Sequence, residues 1–385
     1  MKNILISGYY GFANTGDEAV LSAMLGYLRA NFPGVRLTVL SASPTETAAA
    51  YGVEAVDRWK ISAIFRAMRH CDIFVSGGGS LFQDVTGKNS LRYYLGLITI
   101  ARLHFKKVFI YAQGVGPLNE KRSRKMVARS LKRCRFITLR DEDSAALLCE
   151  LGVPERKMAV TADPVLGWQP DTLPTLLPAG LKMGFALRNW RGFDHIVMAR
   201  VADSFAEKGW SIVFLPFHDP DDIIVSKLVA GAMKQPSFVS DKVVSPEEMM
   251  SAVSCCQMIV ASRLHALIMA AATATPFAAL SYDPKIDGFC RFVGQTVAAD
   301  VAEQDAEKIR LAVEAAVAKK GEQRQYMRDS KPHWADLCHA NAALLRECAY
   351  GAKDLQLDKF LPAADKSPFF DSKKDELTEE SAEQE

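Results

Sequence analysis

Short apolar runs alternate with longer stretches of helical periodicity through the first half of the chain. Short β-branched or apolar runs are typical of buried strands, whereas apolar residues at every third or fourth position predict amphipathic helices. Strands and helices in alternation indicate a parallel sheet with helices on both faces. The predicted strands are Asn3–Ser7, Arg36–Ser41, Asp72–Ser76, Val108–Ala112 and Phe136–Leu139, and the predicted helices are Asp17–Ala30, Ser90–His104, Lys121–Arg133 and Glu142–Glu150.

The alternation stops at Gly167–Pro178, a proline-rich stretch that we interpret as a linker. It then resumes, and two long helical patterns close the chain. We therefore predict an α/β protein with two doubly wound, Rossmann-like domains facing across a cleft, over residues 1–168 and 179–330, followed by a closing helix at 331–350 and a tail at 351–385. The later predicted strands are Lys182–Leu187, Ser211–Leu215, Met258–Ala261 and Phe277–Tyr282, and the later helical patterns are Val301–Lys319 and Trp334–Tyr350.

Composition supports two globular domains and a different kind of tail. The chain has 385 residues, more than one ordinary core holds, with 49% hydrophobic and 24% charged residues. The net charge of +2 conceals a tail from Ala363 onward with three lysines and eight acids, which leaves about +7 on the rest. With so few apolar residues, that acidic tail is predicted to be disordered.

Cysteine usage and the start of the chain predict a cytoplasmic protein. The eight cysteines include no C-x-x-C pair, and Met1 runs straight into a predicted strand rather than a signal peptide. The longest uncharged run, Leu264–Tyr282, contains His265 and Pro276 and divides better into helix and strand than into a membrane span. No acidic or histidine cluster has ligand spacing, so no metal site is expected.

One strand-to-helix turn carries the clearest chemical signal. In Met258–Pro276 the only ionisable residues are Arg263 and His265, which fall where the predicted strand gives way to an alanine-rich helix. Ligands of open α/β sheets bind outside the carboxyl ends of strands, and free N–H groups at a helix start favour anions. The turn predicts a site for a small, doubly anionic substrate.

Three other basic groups follow strands of the second domain. Arg188, His218 and Lys285 each come just past a predicted strand. A surface salt bridge or a hydrogen-bonded structural histidine explains any one of them, and for His218 alone such a structural explanation is favoured. Their shared sheet edge is what indicates an anion site.

The first domain presents three glycine-bearing turns at successive strand ends. The first, Ile6–Ala19, lacks the G-x-G-x-x-G dinucleotide fingerprint, and its Asp17 either accepts hydrogen bonds from sugar hydroxyls or, with Asn14, caps the helix. The others are Gly77–Asp84, with three consecutive glycines, and Gln113–Pro117. Together they outline a pocket, and the candidate acceptor-binding residues are Asn14, Asp17, Gly78, Gly79, Asp84 and Gln113.

The segment Lys121–Arg135 holds eight basic residues. A solvated helix face is the favoured explanation, and contact with an anionic membrane surface or a lipid pyrophosphate is the alternative. Nucleic acid is disfavoured because no aromatic platform accompanies the basic run.

Six ordered motifs across roughly residues 1–300 resemble the polysaccharide pyruvyl transferase family, and within it the CsaB-type enzymes. The resemblance implies a fold like that of GT-B glycosyltransferases, phosphoenolpyruvate as donor and a cyclic pyruvate ketal on a sugar as product. The CsaB-type acceptor is an N-acetylmannosamine unit of a lipid-linked precursor of a secondary cell-wall polymer, which anchors S-layer-homology domains. The motifs are Gly11–Ala19, Gly77–Asp84, Gln113–Pro117, Arg140–Ser144, Asp163-Pro164 and Ser262–Ala266.

The resemblance places donor binding and catalysis on Arg263 and His265 of the R-L-H motif, and donor contact on Arg188. We expect the two arginines to grip the carboxylate and phosphate, with Leu264, Lys285 and His218 completing the donor site. His265 is the expected general acid, neutral in the free protein because a helix start lowers its pKa, and charged once the dianion binds. Asp17 or Asp84 would orient or deprotonate the sugar hydroxyl. Phosphoenolpyruvate is a substrate, and no cofactor is expected.

Two other functions remain open from the sequence. A nucleotide-sugar glycosyltransferase on the same scaffold commonly holds the ribose through a second-domain carboxylate, but no Asp or Glu occurs between Met249 and Tyr282. A non-catalytic carbohydrate- or anion-binding module would explain the glycine turns but not an imidazole between cations.

Overall fold

Two parallel β-sheets form the framework of the protein in the computed structural model, which describes residues 2–85, 87–175 and 177–351. The α/β architecture of two Rossmann-like units predicted from the alternation is confirmed. Apart from Gly351, the predicted acidic tail lies outside the described residues. No helix in the described part of the chain is long and apolar enough to cross a membrane.

The first sheet has eight strands in the order β3-β2-β1-β4-β6-β7-β8, with β5 paired to β6. Helices α1 and α2 cover one face and α3–α6 cover the other, because each parallel connection must cross over the sheet. The strands are β1 Asn3–Ser7, β2 Arg36–Ser41, β3 Glu54–Asp57, β4 Ile73–Ser76, β5 Gly79–Phe82, β6 Lys107–Val115, β7 Phe136–Leu139 and β8 Met158–Val160. The helices are α1 Thr15–Asn31, α2 Pro44–Tyr51, α3 Ile61–His70, α4 Lys88–Leu103, α5 Lys121–Leu131 and α6 Glu142–Glu150.

The second sheet has six parallel strands in the order β11-β10-β9-β12-β13-β14. Its central strand β12 is fully buried, as its continuous apolar run predicts for a strand covered on both faces. The strands are β9 Lys182–Ala186, β10 Ser211–Phe214, β11 Ser237–Val239, β12 Met258–Ala261, β13 Phe277–Ser281 and β14 Val297–Asp300. The helices are α7 His195–Ala206, α8 Asp221–Ala232, α9 Pro246–Ser254, α10 Leu264–Ala272, α11 Pro284–Phe292 and α12 Ala306–Ala318.

The last helix, α13 Lys320–Tyr350, is longer than the closing helix predicted for 331–350 and continues through Pro332. It packs on α1 and on the short 3₁₀ turn Pro164–Gly167, so the chain returns to the first sheet after building the second. Asn341 is fully buried at this contact. The sequence pattern placed its beginning too late because the first part of the helix is largely polar and exposed.

Five short strands were missed by the periodicity analysis, namely β3, β5, β8, β11 and β14. Each has only three or four residues, too few to show a period of two, and four of them lie at or next to a sheet edge. Their existence depends on pairing with a neighbour that is remote in sequence.

Candidate active site

The carboxyl ends of both sheets face one cleft of about 420 Å³. A cleft of this size suits a small ligand, and its position follows the general rule for open α/β sheets. Residues from both domains line it: from the first, Tyr9, Asn14, Asp17, Ser80, Leu81, Gln83, Val85, Ser90, Tyr94, Gly116, Pro117 and Arg140; and from the second, Arg188, Trp190, Phe217, His218, Asp221, Arg263, Leu264, His265, Tyr282, Asp283 and Lys285.

Arg188 follows β9 and is held by aromatic rings rather than by an acid. Its guanidinium lies 4.8 Å from the ring centre of Trp190, and its Nη1 donates to the hydroxyl of Tyr282 at 2.8 Å. Its backbone N–H donates to Oγ of Ser262 at 2.9 Å, which fixes the start of the side chain. Among the described residues Arg188 has no ion-pair partner, so its charge is available to an anion in the cleft.

Arg263, in contrast, is already paired. Its Nε donates to Oδ1 of Asp222 at 3.1 Å, and its Nη2 pairs with the same oxygen. Asp222 is almost fully buried, and its other oxygen accepts the backbone N–H groups of Phe217 and His218, each at 3.1 Å. The sequence predicts that Arg263 contributes to an anion site, and the structure shows an arginine whose charge is largely compensated and whose orientation is fixed.

Helix α10 begins at Leu264, and the side chain of its N-cap residue, Arg263, makes no capping hydrogen bond. Leu264 lines the cleft, so the N–H groups of this helix start lie at the cleft wall. Uncapped N–H groups and the positive end of the helix dipole favour an anion. The predicted anion site at this turn therefore has both a backbone component and a side-chain component in Arg188.

His265 lies deep between the two domains, with only 15% of its side chain exposed. Its ring rests on the first turn of α1, where a Cβ added to Gly16 would fall 2.3 Å from Nδ1 of His265. Its Nε2 is buried without a hydrogen-bond partner among the described residues and lies 3.9 Å from Oδ2 of Asp163. The imidazole is thus oriented by packing and leaves a nitrogen unused.

Burial lowers the pKa of His265 to about 4, and the positive charges of Arg140, Lys285 and Arg263 act in the same direction while Asp163 opposes them. A neutral imidazole in the free protein is what the sequence predicts. The physical cause of the lowered pKa differs from the one expected. The removal of His265 from water outweighs the other causes, whereas the sequence predicts an effect of the helix start.

Arg140 is a cleft residue to which sequence reasoning assigned no role. It follows β7, is 7% exposed, and its Nη1 lies 3.0 Å from Oδ2 of Asp163 while its Nη2 donates to Oγ of Ser80 at 2.8 Å. The signal was present, because Arg140 opens one of the six family-like motifs at the end of a predicted strand. A buried arginine at a strand end required an acidic partner, which only the fold identifies as Asp163.

Lys285 and His218 both line the cleft, as predicted, and both have acidic neighbours. Nζ of Lys285 lies 3.2 Å from Oδ2 of Asp283, and Nδ1 of His218 lies 3.5 Å from Oδ2 of Asp221. For His218 the contact with a neighbouring carboxylate agrees with the structural explanation that the sequence favours. Both side chains remain partly exposed at the cleft wall.

Asn14 and Asp17 enter the cleft from the first domain at the start of α1. The side chain of Asn14 accepts the N–H of Gly16 at 3.1 Å, so the capping role considered from the sequence is confirmed for this residue. The side-chain carboxylate of Asp17 makes no hydrogen bond or ion pair with any described residue. Burial, and secondarily the nearby charge of Glu18, raises its pKa to about 7.

Asp84 is not brought into the cleft, contrary to the prediction for acceptor binding. Its two carboxylate oxygens accept the backbone N–H groups of Asn119 and Glu120, each at 2.9 Å, just before α5. Burial raises the pKa of Asp84, but these hydrogen bonds outweigh it and leave the pKa below its usual value. Asp84 positions α5, and Asp17 remains as the candidate carboxylate of the first domain.

Gly78, Gly79 and Gln113 are also buried rather than exposed to the cleft. A Cβ on Gly78 would lie 2.8 Å from Cγ1 of Val20, so the glycines let the β4–β5 turn pack against α1. Nε2 of Gln113 donates to the carbonyl of Gly79 at 2.6 Å, which holds that turn in place. The close approach predicted at these glycines is present, but the groups that approach them are other segments of the protein rather than a ligand.

Aromatic side chains are the other group that sequence reasoning missed. Tyr9 and Tyr94 line the first-domain side, and Trp190 packs with Tyr282 on the second-domain side at 4.7 Å between ring centres.

Among the described residues, no group of three or more His, Cys, Asp or Glu could hold a metal ion.

Comparison with known families gives one match that spans most of the chain. The profile described as Polysaccharide pyruvyl transferase matches residues 14–284. The amylovoran biosynthesis protein AmsJ of Erwinia amylovora is 21% identical over an alignment of 262 residues, with a coverage of 59% of this chain and 60% of AmsJ. The chain therefore spans about three fifths of the length of that curated relative.

Solved structures share the two-domain fold at low identity. The MnaA–UDP co-structure from S. aureus superposes with a TM-score of 0.66 at 10% identity, covering 94% of this chain and 99% of MnaA. A glycosyltransferase from Rickettsia africae gives a TM-score of 0.59 at 12% identity, covering 91% and 99%. The fold is thus that of GT-B glycosyltransferases and related epimerases.

Proposed function

Since the chain belongs to the polysaccharide pyruvyl transferase family, we propose that it transfers the pyruvyl group of phosphoenolpyruvate to two hydroxyls of one sugar. The products are a cyclic pyruvate ketal and inorganic phosphate, and no cofactor takes part. The proposed acceptor is an N-acetylmannosamine unit of a lipid-linked cell-wall polymer precursor, used at the inner face of the cell membrane, where the pyruvylated polymer would later anchor S-layer proteins.

The observation that supports the donor assignment is that Arg188, which has no ion-pair partner among the described residues, lines the same cleft as the start of α10. Phosphoenolpyruvate has a carboxylate and a phosphate on one carbon, so it needs two adjacent anion sites. Arg188 supplies a planar, charged donor for one of them, and the N–H groups at Leu264 supply the other. Lys285 adds a third positive group, while Arg140 and Arg263 are fixed by buried carboxylates and add directed N–H donors.

The reaction requires one proton at the methylene carbon of the donor. That carbon becomes a methyl group, positive charge develops at the neighbouring carbon, and a sugar hydroxyl attacks there and loses its proton. The departing phosphate takes the electron pair of its C–O bond. The second hydroxyl then closes the ring and gives up the second proton.

His265 and Asp17 are the groups suited to these proton transfers. We assign the proton donated to carbon to His265, whose low pKa must rise when the dianion binds beside it. Asp17, with a pKa of about 7, has the balance of acid and base needed to accept a hydroxyl proton near neutral pH. Tyr9 and Tyr94 on the same side offer aromatic surface to the sugar.

A nucleotide-sugar glycosyltransferase is the second candidate, and the S. aureus MnaA structure with UDP is the observation in its favour. Phosphate release measured with phosphoenolpyruvate and a soluble N-acetylmannosaminide distinguishes the two. We expect release that depends on the sugar, with one pyruvyl ketal per sugar by mass spectrometry, and its loss in Arg188→Met. Release without acceptor, or thermal stabilisation by UDP but not by phosphoenolpyruvate, contradicts the proposal.

A further inference from the structure

Five large apolar side chains are exposed together on the first domain, in the loop before α3, on α3, and at the end of α4. We call them the apolar patch: Trp59, Ile61, Phe65, Leu103 and Phe105, which are 63%, 68%, 40%, 72% and 96% exposed. Ile61 and Phe65 share one face of α3, and Phe65 contacts His104 at 5.6 Å between ring centres, so the two segments form one surface. Contiguous exposed apolar surface of this kind marks an interaction site.

The charges around the apolar patch are mainly positive. The segments Arg58–Cys71 and Lys88–Lys107 contain nine lysines and arginines, of which Arg58 is buried, and no Asp or Glu. The acidic exception beside the patch is the exposed Asp57, which accepts the backbone N–H of Trp59 at 2.8 Å. Helix α5, whose segment Lys121–Arg135 adds eight more basic residues, packs beside α4 on the same face of the sheet. Apolar side chains in a field of positive charge fit an anionic lipid surface, where both attractions act together.

A second copy of the chain fits this surface poorly. A symmetric dimer would place the same basic segments opposite each other, and like charges at an interface oppose association. Phe105 also has a φ of 56°, a left-handed conformation that is costly for a bulky residue. A strained and nearly fully exposed phenylalanine adds little to the core, so its ring is better explained by a contact outside the chain.

The apolar patch begins close to the cleft. Tyr94, which lines the cleft, contacts Tyr93 at 5.2 Å, and Tyr93 contacts Trp59 at 5.8 Å between ring centres. We propose that the apolar patch and its basic surroundings dock the protein on an anionic phospholipid bilayer, with the first-domain side of the cleft close to the lipid surface. This inference rests on the proposed function, in which the acceptor is a lipid-linked sugar that would reach the cleft from the bilayer.

Vesicle flotation tests the docking of the apolar patch on lipid, and it requires neither phosphoenolpyruvate nor a sugar acceptor. We expect the wild type to bind vesicles of phosphatidylcholine with phosphatidylglycerol, and to bind pure phosphatidylcholine much less. The triple variant Ile61→Ser, Phe65→Ser, Phe105→Asn should lose about 30-fold or more in partitioning, since three apolar side chains no longer enter the bilayer. The matched control, Ile224→Ser, Leu228→Ser, Leu311→Ser, removes three apolar side chains of the second domain that are 51–53% exposed and should bind like the wild type.

A second measurement reports insertion directly. Lipids brominated in their acyl chains should quench the fluorescence of Trp59, and the quenching should disappear in Trp59→Phe. Equal flotation of the patch variant and the wild type, or a wild-type dimer that the patch variant converts to a monomer without bilayer binding, overturns the proposal. Turnover of a soluble acceptor should be unchanged in the patch variant, so loss of docking and loss of the proposed reaction are observed separately.

Discussion

At the residue scale, the way in which the cleft can bind an anion depends on which of its positive charges are compensated by a carboxylate and which are not. Arg263 and Arg140 are each paired with a buried aspartate, whereas Arg188 is held by aromatic rings and a tyrosine hydroxyl. A compensated arginine acts mainly as an oriented hydrogen-bond donor, and an uncompensated one attracts an anion over a longer range. The structure therefore gives residues of the same type different parts in one site.

His265→Gln tests the assignment of the proton donor. Glutamine keeps much of the size and polarity of histidine but cannot transfer a proton to carbon. We expect kcat to fall by a factor of about 10²–10⁴ with a small change in KM for phosphoenolpyruvate. Weaker donor binding with unchanged kcat would make His265 a binding residue only.

The charging of His265 on donor binding is a separate prediction. NMR titration of the imidazole with and without a non-reactive donor analogue should show its pKa rising from about 4 when the dianion is bound. An unchanged titration in the complex contradicts the role of the dianion in charging the ring.

Asp17→Asn tests the raised pKa of Asp17 through folding stability. Between its unfolded value near 3.8 and its folded value of about 7, the native protein binds a proton that the unfolded chain releases, so stability falls as pH rises through this window. Asparagine removes that dependence. We expect the variant to unfold like the wild type at pH 4 and to be about 1–3 kcal/mol more stable at pH 8 in urea denaturation.

The contribution of His265 to folding stability has the opposite pH dependence. Because the wild type and Asp17→Asn both contain His265, its contribution is common to both. Its pKa falls from 6.5 to about 4 on folding, so its contribution is present above the unfolded value and is lost as pH falls towards 4. A stability difference between Asp17→Asn and wild type that is constant from pH 4 to pH 8 would show that Asp17 has an ordinary pKa.

At the element scale, the start of α1 decides where the second domain can place its imidazole. Gly16 is in the first turn of α1, and the ring of His265 occupies the space that a Cβ there would need. Backbone contacts keep the two domains together at this point, because the N–H of Thr15 donates to the carbonyl of Phe217 at 2.8 Å. A helix of one domain thus forms part of the pocket that surrounds His265 of the other.

Gly16→Ala should therefore separate helix stability from activity. Alanine favours a helix over glycine by about 1 kcal/mol, but here its methyl group displaces His265. We expect turnover to fall at least tenfold. The control is Gly26→Ala on the same helix, where a Cβ meets nothing within 4 Å. That variant should gain about 0.5–1 kcal/mol in unfolding free energy and keep full activity.

At the scale of the whole molecule, α13 joins the part of the chain that follows the second sheet to the first sheet, beside the cleft. Nδ2 of Asn341 donates to the carbonyl of Ala162 at 3.2 Å, and its Oδ1 accepts from the hydroxyl of Thr161 at 2.8 Å. Cys338 donates to the carbonyl of Asp163 at 3.2 Å. The segment that carries the acidic partner of Arg140 is thus held by a helix from the other end of the sequence.

Asn341→Ala removes the donor to the carbonyl of Ala162 and one of the two acceptors of the Thr161 hydroxyl, whose other acceptor is the carbonyl of Leu139. We expect the free energy of unfolding to fall by about 1–3 kcal/mol, measured by urea denaturation. Gln325→Ala, which removes an exposed hydrogen bond to Asp329 on the same helix, should change it by no more than about 0.5 kcal/mol. Equal effects of the two substitutions would show that the buried contact of α13 adds no stability.

The sequence alone determined the two sheets and the position of the site. Apolar runs fix the strands, and parallel strands end at one edge, so Arg188, Arg263, His265 and Lys285 were expected near one another and all line the cleft. The glycines of the first domain are equally visible in the sequence, but a glycine signals close approach without identifying what approaches. At Gly78 and Gly79 the approaching element is α1 rather than a ligand.

Only the tertiary structure decided the charge state of the cleft. Asp222 and Asp163 pair with Arg263 and Arg140 across 41 and 23 residues of sequence, and no periodicity links such partners. The same holds for the pKa values of His265 and Asp17, which depend on burial between two domains. Strand and helix patterns report local backbone preference, whereas desolvation and ion pairing depend on every chain segment that surrounds a group.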